Sequence, residues 1–196
     1  ESVKPRLKDA LAGKCLIENA YFASLDEILS VIDKLPNDPY VVPCNCKSVA
    51  MNCDKPREVC LSTNYGINSQ WDRGHGKHLT KDEAKKLIKY ANQHGLMQTF
   101  EDGMDICNCG GCCCYPCRIA TKIGAQGIWP KRQYDIFWDS SKCIGCGRCA
   151  SICNFGAFKR EGKKVVFNEK DCRGCTICSS NCPVGAKKKK KIQEQG

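Results

Sequence analysis

Two stretches of the chain carry apolar residues at helical spacing, each opened by a reciprocal cap. In residues 23–36, Leu25, Ile28, Leu29 and Ile32 fall on one face, Ser24 and Glu27 form an S-x-x-E capping box, and Pro36 and Pro39 stop the helix. In residues 78–96 the stripe is Ala84, Leu87, Ile88 and Ala91, the box is Thr80 with Glu83, and Gly95 supplies the C-terminal cap. Both stripes predict core-facing helices without chemistry of their own. Short apolar runs at residues 40–42 (YVV) and 134–138 (YDIFW) predict strands ahead of cysteine groups. Residues 123–133, with Pro130 and flanking glycines, predict a linker between two halves.

Beyond that linker the sequence repeats itself. Residues 136–158 overlay residues 165–187, so that Cys143, Cys146, Cys149 and Cys153 fall on Cys172, Cys175, Cys178 and Cys182, and Gly156-Ala157 on Gly185-Ala186. Each unit reads C-x2-C-x2-C-x3-C. Three thiolates two residues apart wrap one iron–sulfur cube, and the fourth points away to the cube of the other unit. The expected ligands are therefore Cys143, Cys146, Cys149 and Cys182 for cluster I, and Cys172, Cys175, Cys178 and Cys153 for cluster II. Zinc sites instead pair C-x2-C knuckles across a long loop. These residues resemble the bacterial dicluster ferredoxin family, which implies two [4Fe–4S] clusters and electron transfer. Pro183 follows Cys182 as that pattern expects, whereas Asn154 follows Cys153. Proline there removes a backbone donor, so Asn154 is expected to restore one near cluster II and ease its reduction.

Composition sharpens this picture. The chain has 196 residues, enough for one or two small domains, and its 42% hydrophobic content includes 19 cysteines. If most of those are ligands the apolar core is thin, and bound metal has to supply part of the folding free energy. Tight C-x-x-C runs and the vicinal Cys112-Cys113-Cys114 suit metals better than disulfide bridges. The charged N-terminus lacks the apolar stretch of a signal peptide, and no apolar run is long enough for a membrane span. A reducing, cytoplasmic setting is expected. The first residue is Glu, which fits a processed or truncated N-terminus. The formal net charge is +10. Each cluster with its four thiolates removes roughly two units, leaving about +6 with two clusters and about +2 with four. That argues against a nucleic-acid partner.

Eleven cysteines remain. Cys15 stands alone and is expected to be a buried thiol. Cys44, Cys46, Cys53 and Cys60 form a C-x-C-x6-C-x6-C pattern, and Cys107, Cys109, Cys112, Cys113, Cys114 and Cys117 form a second group. Ten clustered thiols point to one or two further iron–sulfur or zinc centres. Local spacing offers Cys44, Cys46, Cys53 and Cys60 as one ligand set and a subset of the second group as another. Neighbours among Cys112, Cys113 and Cys114 cannot all face one centre. One larger cluster, or ligands crossing between the groups, fits equally well. These blocks resemble anaerobe proteins that join a cysteine-rich domain, marked by C-x-C and C-N-C-x2-C-C-C, to a dicluster ferredoxin domain. That resemblance implies redox function, and Gly110 stands where a further cysteine is expected.

His75 and His78 read as polar loop residues, and His94 as a partner of a helix C-terminus. Lys187 to Lys191 read as a solvated basic tail, and Trp71, Trp129 and Trp138 as packing anchors. The fold expected is α+β. Residues 1–125 form a small metal-stapled α/β unit, residues 126–186 a pseudo-two-fold ferredoxin-like unit, and residues 187–196 the tail. The function expected is an iron–sulfur electron carrier, or a subunit of a larger complex, serving a partner redox enzyme. The alternatives are an oxidoreductase with an open-site cluster among the N-terminal cysteines, and a zinc-stabilised binding protein. No nucleotide loop, flavin fingerprint or acid–base pair is present.

Overall fold

The computed structural model describes residues 20–101 and 105–193; Cys15 lies outside them. Alternation of side chains along strands decides the layout of the N-terminal half. Strands β1 (Tyr21–Phe22), β2 (Tyr40–Pro43), β3 (Glu58–Ser62), β4 (Lys77–His78), β5 (Met97–Glu101) and β6 (Asp105–Cys109) form one sheet in the order β1-β5-β6-β3-β2-β4. All its pairings are antiparallel. The expected α/β unit is therefore corrected to α+β, since α/β units are built on parallel strands joined by crossover helices and this sheet is antiparallel throughout.

One face of the sheet is covered by α1 (Leu25–Lys34) and α3 (Lys81–Gln93). Ile28, Ile32, Ala84 and Ile88 pack there against Leu61 and Ile106. Both capping boxes form, with Ser24 Oγ accepting from Glu27 N at 3.4 Å and Thr80 Oγ1 accepting from Glu83 N at 3.3 Å. Because side chains alternate, the intervening residues Phe22, Met97, Cys107 and Cys109 turn to the opposite face. The C-x-C of β6 is thus a strand device, two thiols side by side on one surface. That surface is closed by α2 (Asn45–Ala50), by α4 (Tyr115–Ile123) and by the C-terminal half. The predicted linker packs as well: Ala125 and Trp129 fold back on Ala120, and Lys131 O accepts from Phe22 N at 3.0 Å.

In the C-terminal half, β7 (Tyr134–Trp138) pairs with β10 (Lys187–Lys191), and β8 (Phe158–Glu161) with β9 (Lys164–Phe167). Helices α5 (Arg148–Ile152) and α6 (Ile177–Ser180) occupy equivalent places in the two units. The lysine run is a correction. It forms β10, antiparallel to β7 with Lys187 opposite Trp138, in place of the expected solvated tail. A strand separates its side chains onto two faces, so the charges are divided. Lys187 is buried, while Lys189 and Lys191 reach Asp26 and Glu27 of α1 at 2.6 and 3.1 Å.

A buried polar chain ties the halves together. Asn108 Nδ2 donates to Val59 O, Gln98 Nε2 to Asn108 Oδ1 and Asn92 Nδ2 to Gln98 Oε1; Asn92 Oδ1 then accepts from Asn181 Nδ2 at 2.7 Å and Ser180 Oγ at 2.9 Å. Each member satisfies the next, which fixes one relative placement of α3 and α6. Among the described residues no helix is long and apolar enough to cross a membrane. Thr80→Ala removes the cap of α3 without touching a thiol. It should cost about 1 kcal/mol, read as a lower urea midpoint with iron content unchanged.

Candidate metal centres

Backbone conformation shapes the two C-terminal cysteine loops. Gly145 and Gly147 in the first, and Gly174 and Thr176 in the second, have φ of 70, 75, 66 and 58°. Left-handed residues between successive cysteines turn the thiols toward one side of each loop. At Gly174 the requirement is also steric, since a Cβ would lie 2.1 Å from Tyr134 O. Equivalent N–H···S bonds close the repeats: Phe158 N donates to Cys153 Sγ at 3.5 Å, and Ala186 N to Cys182 Sγ at 3.2 Å. Such donors favour the thiolate form that a metal requires.

The thiols group across the repeat. Cys153 acts electrostatically on Cys172, Cys175 and Cys178 of the other unit. Burial, then these neighbouring thiols, push Cys178 up to about 12 and raise Cys175 as well. Cys143, Cys149 and Cys182 gather around Lys187, while Cys146 is exposed. Sequence reasoning missed Lys187. Its ammonium lies 3.8 Å from Cys143 Sγ and 5.9 and 5.5 Å from the ring centroids of Trp138 and Phe158. Burial alone would lower its pKa; the charges of Cys149, Cys182 and Cys143 outweigh burial and raise it. The repeat carried the signal, because Lys187 overlays the apolar Phe158.

The N-terminal thiols divide differently from their order in the chain. Side-chain interactions link Cys44 to Cys46 and Cys60, Cys60 to Cys107, Cys107 to Cys109, Cys109 to Cys114 and Cys114 to Cys117. Cys60, Cys107 and Cys109 come from the sheet face. Cys44 and Cys114 are the N-caps of α2 and α4, where the helix dipole favours negative charge. Cys46 and Cys60 hold Cys44 at about 2, well below the ordinary thiol range. Cys53 leaves this group. The chain passes through Met51 at φ 48° and carries Cys53 to Cys112 and Cys113. The local set Cys44, Cys46, Cys53 and Cys60 is therefore not brought together as one group, and neither is the run from Cys107 to Cys117. Gly110 O accepts from both Cys113 N and Cys114 N, a turn that sends consecutive thiols to different groups.

The donor chemistry fits a bound anionic metal–thiolate group beside the seven linked thiols. Lys47 is 1% exposed, and its Nζ donates to Asn108 O at 2.6 Å. Among the described residues it has no carboxylate partner. A buried ammonium needs compensating negative charge, and Cys44 stands close enough to feel it. The side chain of Asn154 has a further role, apart from the backbone donor expected of it. Its Nδ2 donates to Gly95 O and Ile152 O, and its Oδ1 accepts from Gly111 N at 3.0 Å and Lys55 Nζ at 3.2 Å. The side chain joins the two halves and donates to no sulfur. His75 and His78 are exposed, and no thiol group includes them.

Two outcomes follow for the C-terminal pair. Cys182→Ala should alter the EPR signal of cluster I and spare that of cluster II; selective loss of the cluster II signal would show that the cross-ligation is wrong. Lys187→Met removes a cation that favours the reduced, more negative state of cluster I. Its potential should fall by on the order of 100 mV, equivalent to roughly 2 kcal/mol of charge interaction, with cluster II nearly unchanged in a redox titration.

Comparison with curated proteins returns no match. Residues 137–188 match a protein family described as a 4Fe-4S dicluster domain. That segment holds both four-cysteine repeats and the first two residues of β10, Lys187 among them, and the match supports a ferredoxin-like iron–sulfur domain there.

Proposed function

We propose that the protein is an electron carrier, or an electron-transfer subunit, that relays low-potential electrons between a partner redox protein and a further iron–sulfur centre held by the N-terminal thiols. Clusters bound at the two ferredoxin sites supply one-electron acceptance and release. One contact supports the relay above all. Cys175 of the cluster II set is buried in the same apolar cluster as Cys109, Cys114 and Cys117, with Phe22, Met97, Ile152 and Ile177. These side chains exclude water from the seam between the two thiol fields, with Arg173 at its edge beside Phe22 and Cys117. The opposite end is open: Cys146 is exposed, with Ile144 66% exposed beside it. A partner would meet the cluster I end, while the cluster II end faces inward. Cys44, Cys46, Cys60, Cys107, Cys109, Cys114 and Cys117 are the proposed ligand pool for the inner centre.

A catalytic form of this reading has its own support. A cavity of about 410 Å³ opens beside Cys44, Cys46, Cys60 and Cys107, lined also by Tyr40, Asn64, Asn68, Ser69 and Gln70. Neutral polar groups of this kind would orient a small substrate beside the inner centre.

Iron and acid-labile sulfide analysis of anaerobically purified protein, with EPR of the reduced form, tests the proposal. Twelve or more irons per chain are expected, together with a signal beyond those of the ferredoxin pair. About eight would leave the two cubes alone and overturn the inner centre.

A further inference from the structure

Cys53, Cys112 and Cys113 stand apart from both thiol fields. Cys113 Sγ lies 3.6 Å from Cys53 Sγ and 3.7 Å from Cys112 Sγ, and all three sulfurs lie within 4.8 Å of one another. Among the described residues no other three potential metal donors approach so closely. The eight ferredoxin cysteines are an internal comparison. They belong to a domain of cluster binders, yet no three of their sulfurs reach this spacing. The difference has a physical basis. Thiolates on different irons of a cube are held apart by the cube, whereas thiolates on one tetrahedral ion with bonds of about 2.3 Å lie about 3.8 Å from each other.

We infer that Cys53, Cys112 and Cys113 form a separate site for a single thiophilic cation, Zn²⁺, with its fourth coordination position open to solvent. Three thiolates on one such ion leave a net charge of about −1, and Lys55 stands beside Cys53 to offset it. Asn52 Nδ2 donates to Cys112 O at 2.8 Å and holds the loop carrying Cys53 against the turn carrying the other two. Cys112 is exposed, and no histidine or carboxylate joins the three sulfurs, so an exogenous water or small thiol completes the tetrahedron. Gly110 borders the site: a Cβ there would lie 3.5 Å from Cys112 Sγ, an ordinary contact that leaves room for a fourth ligand. This site goes beyond the electron-transfer proposal and stands or falls apart from it.

Metal analysis of the full-length protein, purified anaerobically without added zinc, is the direct test. About one zinc per chain is expected alongside the iron. Cys53→Ser and Cys112→Ser should each lose the zinc and keep the iron, while Cys44→Ser should do the reverse. Loss of about four irons from Cys53→Ser would place the triad on a cube and overturn the inference. Folding defects are bypassed in the wild-type chain by Co²⁺ exchange. Tetrahedral cobalt–thiolate bands should appear and shift when a small thiol such as 2-mercaptoethanol is added. In Gly110→Cys the bands should be those of four thiolates and should no longer respond to added thiol. Absence of cobalt bands in the wild type, or bands indifferent to thiol, would also overturn it.

Discussion

The structure depends on the charge of its thiols. All eighteen cysteines among the described residues are unpaired, and many are buried in clusters where several thiolates could not coexist without positive charge. Metal ligation supplies most of that charge in principle, because the ligand must be the thiolate. The chain supplies the rest at chosen points. Lys47 is buried beside Cys44, Lys187 beside Cys143, Cys149 and Cys182, and helix N-termini stand at Cys44 and Cys114. Burying an ammonium is costly unless it is paired. Two fully enclosed lysines without carboxylate partners among the described residues therefore mark where anionic groups are to sit.

The same constraint explains what was legible in the sequence. The amphipathic helices and their capping boxes depend on residues three and four apart, so Ser24 with Glu27 and Thr80 with Glu83 could be read directly. The ferredoxin repeat was equally plain, since each loop keeps three thiols within a short span. The N-terminal field was not legible, because its grouping is tertiary. Antiparallel register places Cys60 near Cys107, and the turn at Gly110 separates Cys113 from Cys114. A one-dimensional spacing holds neither fact. The lysine run misled for a related reason: composition marked it as solvated, whereas strand pairing buried one lysine and gave two others acidic partners.

Asn154 shows how the two halves became one object. In the repeat, its place corresponds to Pro183, a residue that only stiffens a turn. Its amide instead reaches Gly95 after α3, and Gly111 and Lys55 beside the N-terminal thiols. Gly111 has to be glycine here, since a Cβ would lie 2.7 Å from Asn154 O. The departure from the repeat's symmetry thus falls where the ferredoxin half meets its neighbour.

Position along this seam orders the thiol fields. Cys146 faces outward, Cys175 inward, and the apolar contact of Cys175 with Cys109, Cys114 and Cys117 excludes water between cluster II and the sheet-face thiols. A low-dielectric seam strengthens charge interactions across it. Reduction on one side is therefore felt on the other, unless a fixed cation intervenes. Lys187 lies on the far side, at cluster I, and Lys47 lies within the N-terminal field. Cluster II, between them, has guanidiniums in place of an ammonium: Arg132 and Arg173 both act on Cys172, and Arg132 Nη1 donates to Cys172 O. Fixed cations therefore stand beside all three thiol fields, and in the proposed relay the dry seam, rather than unequal charge, would set the path between the docking end and the inner centre.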